Sequence, residues 1–528
     1  MCYLIQQIVR PAWFDWPIVL PNDSPPIALS RLRPDIPYLG SEGFSHHLLH
    51  FSFWLTPRTS NVWNILWWHV TCTSSVIYGC THCHGACGAH RERPRPILRY
   101  IIAYPTGESL IGVPMSDFYQ NGVVTVLHRL GQPNVDQLER ELMRYGRVNP
   151  IALVLPSLYA ELGRPALKAI VDTLKSVSYL NEIVISLDRA SALEFRLAKQ
   201  FFSVLPQRVR LIWNDGARIQ AILKLLVDHN LDIGLQGKGR GCWTAFGYVL
   251  ARNHSQVIAL HDCDITSYNR EYLARLCYPI ANPNLGYEFC KGYYSRVTDR
   301  LHGRVTRLFI TPMIRSLQQL VGPHALLTFL DSFRYPLAGE FAMVRDLAWT
   351  NRIPGDWGLE IGVLAEVYRN CALRRICQAD IADAYDHKHQ ALSDHNPDAG
   401  LLKMCVDITK SLFRNLASEG VILSDGVLKT LRATYLQAAQ EAISRYENDA
   451  AINSLTFDRH QERTAVEVFL KGMKLATDGF LDDPLGVPMI SNWSRVTHAV
   501  PDIFDRLIDA VEADHAWDPT SEPATTSS

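Results

Sequence analysis

The chain has 528 residues, 47% of them hydrophobic, and its 52 Lys and Arg residues balance 53 Asp and Glu residues. A chain of this length is too long to fold around a single hydrophobic core, which predicts two or three domains. The balanced charge excludes a general nucleic-acid binder, which would carry a basic face, so any anion site must be local. The 12 cysteines follow no disulfide-like framework, which indicates a reducing, cytoplasmic setting.

Residues 1–114 differ in composition from the remainder of the chain. They contain no lysine, half of the tryptophans and many prolines. The most apolar stretch, residues 62–78, is broken by polar side chains and matches neither a membrane span nor a signal peptide. We therefore expect no membrane span and an irregular N-terminal extension. Our hypothesis is that translation begins at Met115 and that this extension is not part of the native protein.

A cluster of cysteines and a histidine gives the extension a second interpretation. Cys80, Cys83, Cys87 and His90 are three thiols and an imidazole, the ligand types of a closed structural zinc site. Their spacing is tight, and two neighbouring histidines compete as ligands. Zinc binding and an extension without a structural role are both open interpretations.

From Met115 onward, strand-like apolar runs alternate with amphipathic helical segments. The predicted strands are 151–156, 182–188, 209–213 and 257–260, and the predicted helices are 135–145, 164–174, 190–205 and 216–229. This alternation predicts a doubly wound α/β sheet with right-handed parallel crossovers. Ligands bind such sheets beyond the carboxyl ends of the strands. We therefore expect residues 115–395 to form a nucleotide-binding domain.

Two carboxylates follow the apolar run 257–260, where a predicted strand ends. Asp262 and Asp264 alternate on an extended backbone, so both side chains point the same way. Their hard oxygens can hold a divalent cation, Mg²⁺ or Mn²⁺, that bridges phosphates. The alternative is a turn or a helix cap, where paired acids are also common. The position at a strand end favours a nucleotide-sugar site.

A glycine-rich segment containing a lysine precedes the acid pair. Gly237–Gly241 includes Lys238 and leads into an apolar helical pattern. Glycines let a backbone approach a phosphate, and a helix N-terminus beside a lysine favours an anion. The spacing of a Walker A loop is absent, so the segment does not indicate an ATPase.

Two later segments add candidate side chains to the site. Arg304 and Thr306 precede a largely helical stretch and can contact a carboxylate or phosphate, although a solvated basic turn is the alternative. Residues 335–341 form a loop punctuated by proline and glycine, which we expect to precede a helix. Glu360 follows in an apolar surround, where a carboxylate needs a partner or must be neutralised.

A pair of histidines closes the list of candidates. His387 and His389 follow the predicted strand 374–381. A lone histidine is usually structural, whereas a His-x-His at a strand end is a better candidate for metal or phosphate contact.

Seven short motifs now lie in order along residues 150–392. They are Leu155-Pro156-x-Leu158-x-x-Glu161, Gly237-Lys238-Gly239, Asp262-x-Asp264, Gly303-Arg304-Val305-Thr306, Pro336-Leu337-x-Gly339-Glu340, Trp357-Gly358-x-Glu360-Ile361-Gly362 and a late His387. As a set they resemble the glucosyl-3-phosphoglycerate synthases, which are retaining glycosyltransferases with the GT-A fold. Each motif is weak alone, whereas seven in this order are specific.

The resemblance implies a homodimeric, metal-dependent enzyme that transfers glucose from UDP-glucose to 3-phosphoglycerate. The implied donor-binding residues are Pro156, Leu158, Glu161, Asp188, Lys238, Asp262, Leu337 and Trp357. The implied metal ligands are Asp264 and His387, and the implied acceptor-binding residues are Arg304, Thr306 and His389. Asp264 and Glu360 are the implied catalytic residues, with Glu360 orienting the sugar rather than acting as a nucleophile.

The sequence also departs from the family pattern. Arg189 stands where the family tends to carry a small hydroxyl residue, Trp357 replaces a tyrosine, and His389 and Gln390 replace polar and basic residues. These departures leave open a related GT-A enzyme that uses GDP-mannose or glycerate, and also a non-catalytic sugar-nucleotide-binding regulator. Retention by same-face attack and retention by double displacement are both compatible with the sequence.

The end of the chain is predicted to be helical and then disordered. Residues 401–416, 427–446 and 464–475 carry apolar residues at helical spacing, which predicts a helical region over 396–510. These helices are expected to pack on the sheet domain or on a second subunit. Residues 511–528 are mostly polar and rich in proline and serine, which predicts a disordered tail.

Overall fold

The computed structural model describes residues 50–54, 63–71, 101–105, 120, 122–131, 134–382, 400–486 and 489–517. The chain divides into two units, Met1–Met115 and Ser116–Ser528. In the first unit, strands β1 (His50–Trp54), β2 (Trp63–Thr71) and β3 (Ile101–Pro105) form an antiparallel sheet in that order. These segments are strands rather than irregular chain. Tryptophan and β-branched residues favour extended backbone even where polar residues hide an alternating pattern. The zinc candidates Cys80, Cys83, Cys87 and His90 lie outside the described residues.

The second unit is built around an eight-stranded mixed sheet with the order β4-β11-β9-β10-β8-β5-β6-β7. The strands are β4 (Thr125–Leu127), β5 (Ile151–Leu158), β6 (Leu180–Asp188), β7 (Arg208–Trp213), β8 (Val257–Leu260), β9 (Phe289–Tyr294), β10 (Phe341–Val344) and β11 (Ile376–Ala382). The paired strands are parallel except at β10, which is antiparallel to both β8 and β9. The predicted α/β class is confirmed.

Strand β10 corrects two expectations about the sheet. The sheet is not wholly parallel, and the segment 335–341 leads into this strand rather than into a helix. The four-residue apolar run Phe341–Val344 is too short for periodicity to distinguish a strand from a helix. Its neighbours in the sheet decide the conformation. Because β10 is antiparallel to β8, its first residue, Phe341, lies at the edge where the parallel strands end.

Helices cover both faces of this sheet. They are α1 (Val135–Tyr145), α2 (Pro165–Leu174), α3 (Ala192–Phe202), α4 (Ala217–Asp228), α5 (Lys238–Arg252), α6 (Arg270–Ala281), α7 (Thr311–Val321), α8 (Ala325–Asp331), α9 (Arg345–Thr350) and α10 (Leu359–Asn370). Successive residues of a strand point to opposite faces. On β5, Ala152 and Val154 accordingly join one buried cluster, while Leu153 and Leu155 join the other.

Five further helices form the predicted C-terminal helical region. They are α11 (Gly400–Ser418), α12 (Asp425–Ile452), α13 (Arg459–Asp482), α14 (Trp493–Ala499) and α15 (Ile503–Ala516). Their apolar residues belong to the same buried cluster as one face of the sheet. No described helix is long and apolar enough to cross a bilayer.

Helix α15 corrects the predicted disordered tail for residues 511–516. Val511 is buried in the core, and Glu512 forms ion pairs of 2.9 Å with both Arg208 and Arg210 on the edge strand β7. Asp514 is also buried and pairs with Arg218. These partners lie about 300 residues earlier in the chain, so the local composition did not reveal them.

Two stacked tryptophans join helix α5 to helix α14. The rings of Trp243 and Trp493 are 4.2 Å apart between centroids, and both side chains are almost fully buried. The Trp493 indole N–H donates to the Trp243 carbonyl at 3.1 Å. Gly247 leaves the space that the Trp493 ring occupies. The C-terminal region is therefore anchored to the sheet domain by a large buried contact.

Replacing Trp493 with alanine should lower the free energy of unfolding by about 3–5 kcal/mol, because it removes a buried aromatic side chain and leaves a cavity. Urea unfolding followed by circular dichroism would measure the change. Ile422→Ala is the control, since Ile422 is 83% exposed and its loss should cost less than about 0.5 kcal/mol. Equal effects of the two substitutions would contradict the anchoring role.

Candidate functional site

The candidate site is a cleft of about 1130 Å³ at the edge where the parallel strands end. The predicted site residues that line it are Pro156, Leu158, Glu161, Asp188, Lys238, Asp262, Asp264, Arg304, Leu337, Trp357 and Glu360. Thr306 does not line the cleft, because it lies in the π-helical turn Val305–Ile310 with its hydroxyl buried. His387 and His389 lie outside the described residues.

An ion cluster centred on Lys238 occupies the middle of the cleft. The Lys238 ammonium lies 2.6 Å from Asp262 Oδ1 and 3.3 Å from Glu360 Oε1. Burial lowers the pKa of Lys238, but the carboxylates of Asp262 and Glu360 outweigh it and hold that pKa well above its ordinary range. The lysine is therefore a fixed positive charge that joins the end of β8 to the start of α10.

The glycines around Lys238 have a packing role. Gly237–Gly241 is the first turn of helix α5 rather than a loop, and Gly237 is its N-cap. A Cβ at Gly239 would clash with the carbonyl oxygen of Pro354, and one at Gly241 would lie 2.9 Å from Asp188 Oδ2. Small residues here let the helix start close to two neighbouring segments. That contact places Lys238 at the cleft.

Asp264 lies among other acids. Burial raises the pKa of Asp264 to about 7, and Asp262 acts in the same direction, as do Glu161 and Glu340. Lys238 opposes the shift. Carboxylate oxygens therefore outnumber the cationic group that faces them, which is the environment that a hard divalent cation prefers. The described residues contain no group of three or more His, Cys, Asp or Glu side chains placed to hold a metal.

A buried polar network surrounds Asp188 at the end of β6. The Asn214 amide donates to Asp188 Oδ2 at 3.1 Å and to Ser186 Oγ at 2.8 Å. Burial raises the pKa of Asp188 to about 6, and the nearby Asp215 adds to the shift. Our sequence analysis missed Asn214 and Asp215, because no local motif marks them. They directly follow the predicted strand 209–213, and polar residues at a strand end are the one sequence feature that could have indicated a role in the site.

Gly339 is a third residue to which the sequence analysis gave no functional role. A Cβ at this position would lie 2.5 Å from Asp262 Oδ2 and 2.8 Å from Asp262 Cγ. The backbone before β10 therefore contacts the carboxylate of the acid pair directly. Glycine in the Pro-Leu-x-Gly-Glu motif was the signal, and only the position of β10 gives it a physical meaning.

Arg189 lines the cleft in an unusual backbone conformation. Its φ of 55° lies in the left-handed region, which is uncommon for a residue other than glycine, asparagine or aspartate. Its side chain is exposed. The adjacent Ala190 N–H donates to Asp215 Oδ2 at 3.0 Å, which fixes this turn. The residue that departs from the family pattern thus presents a cation to the end of the cleft that contains Asp188.

Part of the cleft wall is basic. Its lining includes Arg296, Arg300, His302 and Arg304, together with Asp299. The Arg304 guanidinium donates to Glu462 Oε1 at 2.7 Å and to Gln461 Oε1 at 3.1 Å, both on helix α13. The C-terminal region therefore supplies part of this wall. A cleft lined by both carboxylates and guanidinium groups suits a ligand that binds a cation and also carries anionic groups.

The amino-acid sequence is similar to glucosyl-3-phosphoglycerate synthase from Persephonella marina, with 47% identity over 404 residues that cover 76% of this chain and 100% of the relative. The enzyme of the same name from Methanococcoides burtonii is 38% identical over 403 residues, which cover 75% of this chain and 98% of the relative. A crystal structure of glucosyl-3-phosphoglycerate synthase from Mycobacterium tuberculosis with Mg²⁺ and UDP aligns at 20% identity and a TM-score of 0.41, covering 57% of this chain and 89% of that chain. No family model matches the sequence.

Replacing Asp188 with asparagine should raise the free energy of unfolding at pH 7.5. The folded-state pKa of about 6, against an ordinary 3.8, means that ionising the buried carboxyl costs about 3 kcal/mol. This cost is absent well below pH 4, grows between about pH 4 and pH 6 and is constant above pH 6, so the advantage of the variant should shrink towards pH 4. Urea unfolding between pH 4.5 and 7.5 would measure it.

The matched control for this prediction is Asp172→Asn. Asp172 lies on the exposed face of helix α2 beside Lys175, so its replacement should change the free energy of unfolding by less than about 0.5 kcal/mol. A stability difference between wild type and Asp188→Asn that does not vary with pH would disprove the shifted pKa.

Proposed function

The chain belongs to the glucosyl-3-phosphoglycerate synthase family, and we propose that it transfers glucose from UDP-glucose to the free hydroxyl of 3-phosphoglycerate with retention of configuration. The observation that carries this proposal is that Asp262, Asp264, Lys238 and Arg304 line one cleft. The acid pair can hold a cation for the diphosphate of a nucleotide-sugar. The guanidinium can bind the phosphate of an acceptor.

The donor would bind along the ends of β5 and β6. Pro156, Leu158 and Glu161 would border the uracil and ribose, and Asp188 would contact the nucleoside at the adjacent strand end. Leu158 is partly exposed in the cleft, which gives a base an apolar surface. Lys238 would approach the uridine while it holds Asp262.

A divalent cation, Mg²⁺ or Mn²⁺, would bind at the acid pair. Asp264 would be the direct ligand, with Asp262 beside it and His387 as a further ligand. Burial raises the pKa of Asp264 and the neighbouring carboxylates add to the shift, and such a crowded group of acids fits a cation. When bound, the cation supplies Lewis-acid neutralisation of charge on the departing nucleoside diphosphate.

The acceptor would bind at the basic wall. Arg304 would contact the phosphate with its planar guanidinium, which has five N–H donors and so can bind an anion in addition to Glu462. Thr306 has its hydroxyl buried and does not line the cleft, so it is left out of this acceptor site, whereas His389 would contribute from outside the described residues. Glu462 is buried and holds both Arg304 and Arg307, so the position of Arg304 is fixed by helix α13.

The sugar would lie between these two sites. Glu360 is buried, and its carboxylate is held by Lys238 at the start of helix α10. It would orient the glucose through its hydroxyls, with the Leu337 backbone and Trp357 on the neighbouring walls. Same-face attack and double displacement both remain compatible with this arrangement.

The same proposal includes the cellular setting and assembly of the enzyme. Cys242, Cys263, Cys277, Cys290, Cys371, Cys377 and Cys405 are all buried free thiols, which supports a reducing, cytoplasmic environment. Family membership supports a homodimer.

Replacing Asp264 with alanine should lower the rate of glucose transfer by on the order of 1000-fold, because a Lewis-acid contribution of several kcal/mol is lost. The assay would follow transfer from UDP-glucose to 3-phosphoglycerate with Mg²⁺ or Mn²⁺. Asp228→Ala is the control, since Asp228 is an exposed acid on helix α4 that pairs with Lys224. Wild-type activity in Asp264→Ala would remove the central claim, and a wild type that binds UDP-glucose without transferring sugar would support a regulator instead.

Replacing Arg304 with lysine should raise the KM for 3-phosphoglycerate by about tenfold or more, because the flexible ammonium lacks the planar fork of the guanidinium. The KM for UDP-glucose should stay unchanged. Lysine keeps a positive charge for the buried Glu462, so the fold is preserved. Arg315→Lys is the control, because Arg315 is exposed and pairs with Asp331. Equal KM values for 3-phosphoglycerate in wild type and Arg304→Lys would place the phosphate elsewhere.

A further inference from the structure

Lys291 is a buried lysine that the proposed chemistry does not use. It lies on the central strand β9, and only 1% of its surface is exposed. Its ammonium donates to the Ala338 carbonyl oxygen at 2.5 Å and lies 5.7 Å from the centre of the Phe341 ring. Burying a charged ammonium costs several kcal/mol unless surrounding groups compensate it. A lysine in this position therefore needs a physical reason.

The segment that Lys291 holds forms one wall of the cleft. Ala338 is buried, and its neighbours Leu337 and Gly339 both line the cleft. Gly339 contacts the Asp262 carboxylate so closely that an added Cβ would lie 2.5 Å from its Oδ2 atom. The hydrogen bond from Lys291 to Ala338 thus holds the backbone segment that contacts Asp262, the acid that pairs with Lys238.

The carboxylates around Lys291 offset only part of the cost of its burial. Burial lowers the pKa of Lys291 to about 8, while the carboxylates of Glu360 and Glu340 act in the opposite direction. Glu340 is fully buried and accepts a hydrogen bond of 2.7 Å from the Tyr294 hydroxyl. The Lys291 ammonium is therefore buried close enough to Glu360, which lines the cleft, and to the buried Glu340 for both carboxylates to stabilise its charge.

We propose that Lys291 is a positioning residue of the transfer reaction: its hydrogen bond to Ala338 holds the Gly339 backbone against Asp262 and so fixes where that carboxylate lies in the cleft. The inference rests on the proposed function, because the rate to be measured is that of glucose transfer to 3-phosphoglycerate. Misplacing a group of the site by about 1 Å can cost about 100-fold in rate. Lys291 does not line the cleft, so its effect on the reaction is indirect.

The first experiment compares Lys291→Met with wild type. Methionine fills a similar volume without a charge, and replacing a buried charge by an apolar group is often neutral or stabilising. We expect an unfolding midpoint no lower than that of wild type, a kcat reduced by about 100-fold and a KM for 3-phosphoglycerate within about twofold. A lysine with no positioning role would leave kcat unchanged.

Lys199→Met is the matched control. Lys199 also donates to backbone carbonyl oxygens, those of Asp514, His515 and Trp517 near the end of helix α15, but it does not line the cleft. Its replacement should lower the unfolding midpoint and leave kcat unchanged. A loss of kcat in Lys199→Met equal to that in Lys291→Met would overturn the proposal, as would a kcat within about twofold of wild type in Lys291→Met.

A second variant tests the same contact from the other side. Gly339→Ala would push on Asp262 without changing Lys291. We expect a similar fall in kcat, and in the double variant a combined effect smaller than the sum, because both changes act on one contact. If Lys291→Met does not fold, Gly339→Ala decides alone: an unchanged kcat overturns the proposal.

A binding measurement separates this inference from the proposed function. UDP in the presence of Mn²⁺ would be titrated calorimetrically into wild type and into Lys291→Met. We expect binding to weaken by about tenfold in the variant, a change within the range for groups that orient metal ligands. If wild type transfers no glucose, the proposed function fails and this titration still decides: equal affinities overturn the positioning role, and weaker binding supports it.

Discussion

The arrangement of the cleft depends on the ammonium of Lys238, which holds two carboxylates from separate elements together. Asp262 follows strand β8, and Glu360 lies in the first turn of helix α10. Without a cation between them these acids would repel each other and pay the cost of burial alone. The lysine stands at the N-terminus of helix α5, so one side chain ties two helices and a strand end at the point where a nucleotide-sugar would bind.

Close backbone approaches make that convergence possible. Gly239 allows helix α5 to begin against Pro354, Gly241 leaves room for Asp188, and Gly339 lets the chain before β10 touch Asp262. Each position would clash if it carried a side chain. The glycines that a sequence motif associates with phosphate thus have a second role, which is to bring helix, strand and acid pair within contact distance of one another. Lys291 extends the same arrangement into the core beneath the cleft.

The C-terminal helices are part of the site rather than an appendage. Helix α13 supplies Glu462, which binds both Arg304 and Arg307, and helix α11 supplies Lys403 and Asp407 to the cleft lining. The basic wall is therefore positioned by residues more than 150 positions away in the sequence. The Arg304 guanidinium is thus fixed in place by Glu462 and Gln461.

The sequence by itself determined the alternation of strands and helices from residue 135, the strand that ends at Asp188, the strand that ends just before Asp262, and the family, because these depend on local periodicity and on short motifs. The tertiary structure decided the remainder. The apolar run that forms β10 is too short for its sequence to predict a conformation. Its pairing with β8 and β9 makes it an antiparallel strand. Helix α15 is ordered through Arg208, Arg210 and Arg218, and Asn214, Gly339 and Lys291 acquire roles only through contacts with distant residues. Such contacts join parts of the chain that no local pattern relates, so only the folded arrangement could reveal them.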